Sequence, residues 1–249
     1  MRTLVIGGYE EAQVRAACVR RDRRVDPAVR RRLAEGWRRR RAELDRLGRP
    51  YSDGPLLQFE GIDLRDEPDQ VTLLLSPTIS YRDVVGLRAR RPAVGEFAPD
   101  ALPRPFSVMN VLVTGDRRVV LGWRDVGDWD PSWELSGGFA RRGEQPFDAS
   151  RNRLFEDFRL SAADLTGHRM LAVGDSHEFA ETFALFEVET ALSADAVRAR
   201  ATYARTRSLA DEGAALRRGP GGALHPPSRI ALALYREATR AGAAVVRGG

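Results

Sequence analysis

Apolar residues recur along this chain with two different periods, and the changes of period mark out its elements. The opening RTLVIGG is a short apolar run that predicts a strand, and EEAQVRAACVRR after it reads as a helix. Asp26 and Pro27 form a helix start, with Asp as N-cap and Pro at the first helical position. Val29, Leu33, Trp37, Leu44 and Leu47 then keep helical spacing until Gly48 and Pro50 end it. From residue 55 the period becomes two: LLQFEGIDLRD and QVTLLLSPTISYRDV predict paired strands joined by the turn-rich EPD. Residues 90–105 contain four prolines and predict a linker or surface loop.

The second half repeats this logic. FSVMNVLVTGDRRVVLGWR predicts a hairpin, because two β-branched runs flank TGDRR. MLAVGDSHEFAETFALFEVET predicts two further strands, with Phe183, Leu185 and Glu187 on one face and Ala184, Phe186 and Val188 on the other. A helix near 193–203, a glycine-rich loop at 219–222 and the amphipathic PSRIALALYREATR complete the chain, and no internal repeat is visible. The expected organisation is a basic segment over 1–50, a small β-rich subdomain over 51–100, and a larger α/β domain over 104–245.

Composition narrows the function classes. With 249 residues and 43% hydrophobic content, the chain is long enough to bury a core. No apolar run approaches the roughly 20 residues that span a bilayer, so the expectation is a soluble, cytoplasmic protein with no membrane partner. The single Cys18 excludes an intramolecular disulfide and a cysteine zinc cluster, and its Ala/Val-rich setting suggests a buried small residue. His168, His177 and His225 are scattered, without metal-ligand spacing. The net charge of +5 is uneven: residues 1–50 hold 15 Arg against 7 Asp and Glu. All 40 basic residues are arginine, which points to a bias of genome base composition and to a solvated helix face rather than to a nucleic-acid site.

The residues with the most chemical content lie between 137 and 160, GGFARRGEQPFDASRNRLFEDFRL. A glycine pair is followed by Glu144 and then by a helix-like stretch. Positions 153, 156 and 157 share one face of that helix by the i, i+3, i+4 rule, and Glu144 in the preceding loop can approach it. Carboxylates so placed would suit magnesium, which takes hard oxygen ligands and keeps some waters. Here the face presents Arg153, Glu156 and Asp157. Arg153 either pairs internally with a neighbouring carboxylate in place of an ion, or points outward as a bidentate clamp for a diphosphate.

This stretch resembles a Nudix box, G-x5-E-x7-R-E-U-x-E-E-x-G-U, where U is aliphatic. Gly138, Glu144, Leu154, Glu156 and Leu160 match and Asp157 is a conservative match. Asn152, Arg153 and Arg159 stand where the arginine, a glutamate and the glycine belong. The order of elements resembles an α/β/α Nudix sandwich preceded by a small helix-plus-β subdomain. Thr78, Ser80, Tyr81, Arg82, Asp83 and Gly86 resemble a segment of the branch that cleaves UDP-glucose and UDP-galactose.

The resemblance implies a hydrolase that cleaves the pyrophosphate of a nucleoside diphosphate derivative such as a UDP-sugar. Glu144, Glu156 and Asp157 would hold Mg2+ or Mn2+, with Arg153 at the phosphate and Gly137 and Gly138 in the substrate loop. Tyr81 would stack on the base, Arg82 would meet phosphate, and Glu178 or Glu181 would act as general base. The alternative is a Nudix-fold module that binds a nucleotide or phosphorylated metabolite without hydrolysis. Ser80, Arg82 and Asp83 also read as a turn, and Trp123, Trp129 and Trp133 read either as a ligand wall or as packing under a loop.

Overall fold

The computed structural model describes residues 2–19, 26–48, 53–64, 70–89, 102–125, 131–176, 181–203, 205–210 and 224–246. The EPD turn, most of the proline-rich stretch, Trp129, His177, Glu178 and the glycine loop at 219–222 lie outside the described residues.

Two strands buried over nearly their whole length form the centre. β5 (Phe106–Val113) and β10 (Glu181–Thr190) run parallel through eight register pairs, from Thr182 opposite Phe106 to Glu189 opposite Val113. Strands buried on both faces need helices on both sides, and the side chains sort accordingly. Phe106, Val108, Leu112, Ala184, Phe186 and Val188 pack with Phe147, Leu154 and Phe158 of α3 (Pro146–Phe158). Met109, Val111, Val113, Phe183 and Leu185 pack on the opposite face with Ala231, Leu232, Leu234 and Tyr235 of α5 (Pro226–Val246). The alternation expected for 183–188 is therefore the division between the two cores.

Around this centre stand β1 (Arg2–Tyr9), β6 (Arg118–Arg124), β9 (Leu165–Ser176) and β11 (Thr206–Ala210), in the order β1-β9-β10-β5-β6-β11. β7 (Ser132–Glu134) pairs with β6, and β8 (Ser136–Phe139) pairs with β5. A separate three-stranded sheet has the order β2-β4-β3, from β2 (Val14–Cys18), β3 (Pro55–Asp63) and β4 (Val71–Ser80). It shares the α3-side core through Leu57, Phe59, Leu73 and Leu75. The molecule is a mixed α/β fold with helices on both faces of its main sheet. No described helix is long and apolar enough to cross a membrane.

Expectations for two stretches are corrected. The stretch expected as a helix from residue 10 is a single 3-10 turn, Glu11–Gln13, followed by β2, which pairs in parallel with Val71–Leu75. Tertiary pairing of the apolar residues overrides the local helix pattern. Cys18, on that strand, is exposed rather than buried. The second correction concerns YRDV, which begins helix α2 (Tyr81–Arg88) instead of continuing a strand. Asp83 Oδ2 accepts from both the Ser80 amide and hydroxyl at 2.9 Å, and the Ser80 side chain accepts from the Asp83 amide in return. S-x-x-D is thus a capping box. The expected hairpin at 106–124 forms, β5 pairing antiparallel with β6 at Val113–Val119, and beyond that pair β5 is bonded by β8 and β10, and β6 by β7 and β11.

The longest helix before the main sheet, α1 (Pro27–Arg46), starts where Asp26 accepts from the Ala28 amide at 2.6 Å. Its inner residues Val29, Leu33, Gly36 and Leu44 are buried. It crosses α2 by backbone contact: a Cβ on Gly36 would lie 2.1 Å from the Gly86 carbonyl oxygen, and one on Gly86 would lie 2.2 Å from that of Leu33. Gly86, a residue of the resemblance, is thereby a packing residue. We expect Gly86→Ala to force the helices apart and cost about 3 kcal/mol, the upper part of the usual overpacking range, as measured by denaturant unfolding.

Candidate functional site

The glycine loop and helix α3 form one surface, built from the bottom by β8 lying on β5. A Cβ on Gly137 would meet the Val108 carbonyl oxygen at 2.5 Å, and Gly138 adopts φ +154° with the Arg153 guanidinium beside it. The helix enters through Pro146 at its first turn and leaves through Arg159 in the left-handed region at φ 55°. Glycine is favoured at such a C-terminal position. Arg159→Gly is expected to raise stability by about 1 kcal/mol, visible as a higher midpoint of thermal unfolding.

The charged residues on this face are committed to one another. Glu144 Oε2 accepts from the Arg141 amide at 2.7 Å, and its Oε1 accepts from the Asn152 side-chain amide at 2.9 Å. Arg153 donates from Nη1 to Glu156 Oε2 and from Nη2 to the Phe139 carbonyl at 2.8 Å. Glu156 Oε1 receives Arg141 at 3.0 Å, so one half-exposed carboxylate sits between two guanidiniums. Of the two arrangements open for Arg153, the structure has the internal pair.

Asp157 sits in a buried group that sequence reasoning missed. Its Oδ2 is sealed from solvent without a hydrogen-bond partner among the described residues, and the Ser136 and Tyr203 hydroxyls and the Arg124 and Arg153 guanidiniums act on the carboxyl. Burial raises its carboxyl above the ordinary range, against the pull of Arg124. Next to it, Glu134 accepts from Arg124 Nε and, at 3.3 Å, from the Tyr203 hydroxyl. Burial pushes the Glu134 carboxyl up to about 7, against that same guanidinium. The only signal for Glu134 was an acid between Trp133 and Leu135; Tyr203 arrives from 46 residues beyond Asp157 and left none.

A divalent cation does not fit this arrangement. Both oxygens of Glu144 and of Glu156 are occupied by donors, and Asp157 belongs to a different, buried network. Among the described residues no three His, Cys, Asp or Glu side chains are grouped to hold a metal ion.

The segment 78–86 reaches the same surface through one residue. The Tyr81 ring meets Phe139 edge-on at 6.2 Å, and the Arg88 guanidinium lies 5.2 Å from the centre of the Phe139 ring on its other contact. Arg82 turns outward, toward Asp53 at 3.8 Å, and Thr78 bonds Ser76 at 2.9 Å. Glu181 is a buried partner of Arg88 at 2.7 Å and of the Ser107 hydroxyl at 2.5 Å. Trp123 and Trp133 pack at 5.3 Å on the α5 side of the sheet, with Arg205 against both rings; they line the second core rather than the loop.

Beneath α3, His168 packs at a tilt between Phe147 and Phe186 and bonds Ser150 at 2.8 Å. Burial pushes its imidazole down to about 4, and the Arg151 charge adds to this. The unfolded chain takes up this proton near pH 6.5 while the folded chain does not, so His168 costs stability as pH falls from about 6.5 to 4. The loss reaches about 3 kcal/mol at the acid end. His168→Phe should flatten this limb relative to the parent in melts taken between pH 4 and 7; an unchanged slope would contradict the assignment.

No protein-family model matches the chain, and no curated protein matches it. Among solved structures it is similar to a mutT/nudix family protein from Listeria innocua, at 15% identity over 57% of this chain and 97% of that one, with a TM-score of 0.43. It is similar to DR0079 from Deinococcus radiodurans at 17% identity, over 53% and 82% of the two chains, with a TM-score of 0.42. A bifunctional NMN adenylyltransferase/ADP ribose pyrophosphatase from Francisella tularensis, complexed with AMP and a manganese ion, is similar at 16% identity over 64% of this chain and 49% of that one, with a TM-score of 0.40.

Proposed function

We propose that this chain is a Nudix-type module that binds a nucleoside diphosphate derivative, such as a UDP-sugar, with a guanidinium in the role that a helix-held cation would otherwise play. The observation that carries this reading is the position of Arg153, bonded to Glu156 and to the Phe139 carbonyl on the face where the box would present carboxylates. Arg141 approaches the same glutamate from the rim, with more than half of its side chain exposed. An incoming diphosphate exchanges with Glu156 for these two guanidiniums, an exchange of one bidentate anion for another. Tyr81, half-buried against Phe139 at the edge of the loop, offers a face for the base.

Thermal unfolding with UDP-glucose and related nucleotide sugars, in magnesium and in chelator, tests the reading. Equal stabilisation in both is expected, since a ligand that binds only the folded state raises its stability whatever supplies the contacts. Stabilisation confined to magnesium, or release of nucleoside monophosphate above a metal-free control, would establish a metal-dependent hydrolase instead. No stabilisation by any nucleotide sugar would remove the ligand class altogether.

A further inference from the structure

Helix α1 carries eight arginines and three acids, a net charge of +5 equal to that of the whole chain, so the remainder is balanced. The inner side of the helix is already used: Val29, Leu33, Gly36 and Leu44 are buried, and the glycine crosses α2. At ~100° per residue the exposed arginines fall into three rows around the outer side. Arg31 and Arg38 form the crest, Arg30 and Arg41 one flank, and Arg32, Arg39 and Arg46 the other, and all seven are exposed. Glu43 pairs with Arg40 at 2.5 Å and Asp45 with Arg41 at 3.7 Å within the helix. Glu35 lines an open concavity of about 480 Å3 with Arg38 and Arg39.

We propose that the outer side of α1 is a binding surface for the phosphate backbone of duplex DNA. A flat anionic bilayer meets one side of a helix, and an amphipathic helix enters it with an apolar face, which α2 here covers. Cations on the crest and on both flanks instead match a partner that rises on either side. The major groove of B-form DNA, about 12 Å wide, admits a helix about 10–12 Å across and presents phosphates along both walls. The sequence count alone read these arginines as a solvated face; their distribution around the helix, with the inner face closed, is what alters that reading. Arginines directed at phosphates give affinity without base specificity.

The test uses the full chain and a fluorescein-labelled 20-base-pair duplex in anisotropy titrations from 50 to 200 mM salt. Deleting the first 50 residues is unsuitable, because β1 pairs with β9 in the main sheet. Binding is expected at low salt, with log K falling against log salt at a slope of about −4.5 to −5.5 for five or six engaged phosphates. Arg30→Gln with Arg41→Gln, and separately Arg39→Gln with Arg46→Gln, should each reduce that slope by roughly 2, since each removes two contacts. Circular dichroism melts of these exposed-site variants should coincide with the parent. The proposal is overturned by absence of duplex binding at 50 mM salt, by a slope that neither flank pair alters, or by binding to phosphatidylserine vesicles without binding to the duplex. The parent's own salt slope decides the matter even where a variant folds poorly.

Discussion

Arg153→Glu is expected to make the thermal stability of this protein depend on magnesium, and the parent's is expected to be independent of it. In the parent the guanidinium ties the helix to the loop through Glu156 and the Phe139 carbonyl. A glutamate there reverses the charge at the centre of the face, sets a second carboxylate one helical turn from Glu156, and frees Glu156 from its inner partner. Without metal the variant should melt below the parent, because two like charges replace an ion pair. With magnesium at a hundred times its dissociation constant it should regain about 2.7 kcal/mol. Equal magnesium response in the two proteins would sink the assignment of Arg153 as occupant of the cation position. Nucleotide-sugar hydrolysis supplies a separate readout: an activity present in the parent and lost in the variant would make Arg153 part of a working mechanism.

Glu181→Gln should act on stability rather than on chemistry. Glu181 and Arg88 have side chains 4% and 9% exposed, and their contact joins the end of α2 to the start of β10. Removing one charge from a buried pair leaves the other without its counter-ion in a low dielectric, at a cost of about 3–5 kcal/mol. For a chain of this size that lowers the unfolding midpoint by roughly 10 °C. Glutamine keeps the volume and an oxygen for the Ser107 hydroxyl, so the loss reads the charge pair itself. A general base would show the opposite pattern, with unchanged melting and lost turnover. That pattern would restore Glu181 to the general-base role given it in the reading by resemblance.

Much of the architecture was legible from periodicity. The two faces of 183–188, the start of α1 at Asp26-Pro27 and the position of α3 follow from local rules, because side-chain direction repeats every 2 or 3.6 residues whatever the partner. The S-x-x-D of Ser80 and Asp83 was equally local, yet the apolar run before it carried the expected strand too far. The segment after residue 10 was not legible, since β2 exists through its pairing with β4, some 57 residues further on. Pairing of this kind has no local signature.

The candidate site divides along the same line. Charge and spacing alone placed Arg153, Glu156 and Asp157 on one turn of a helix and established that one cation interrupts its acids. Three-dimensional packing decided what each does: Arg153 turns inward to Glu156 and Phe139, Asn152 holds Glu144, and Asp157 joins Glu134, Arg124 and Tyr203 below the surface. A sequence records which charges are present, but pairing and desolvation set the state of each, and both depend on groups that only folding brings within a few ångströms.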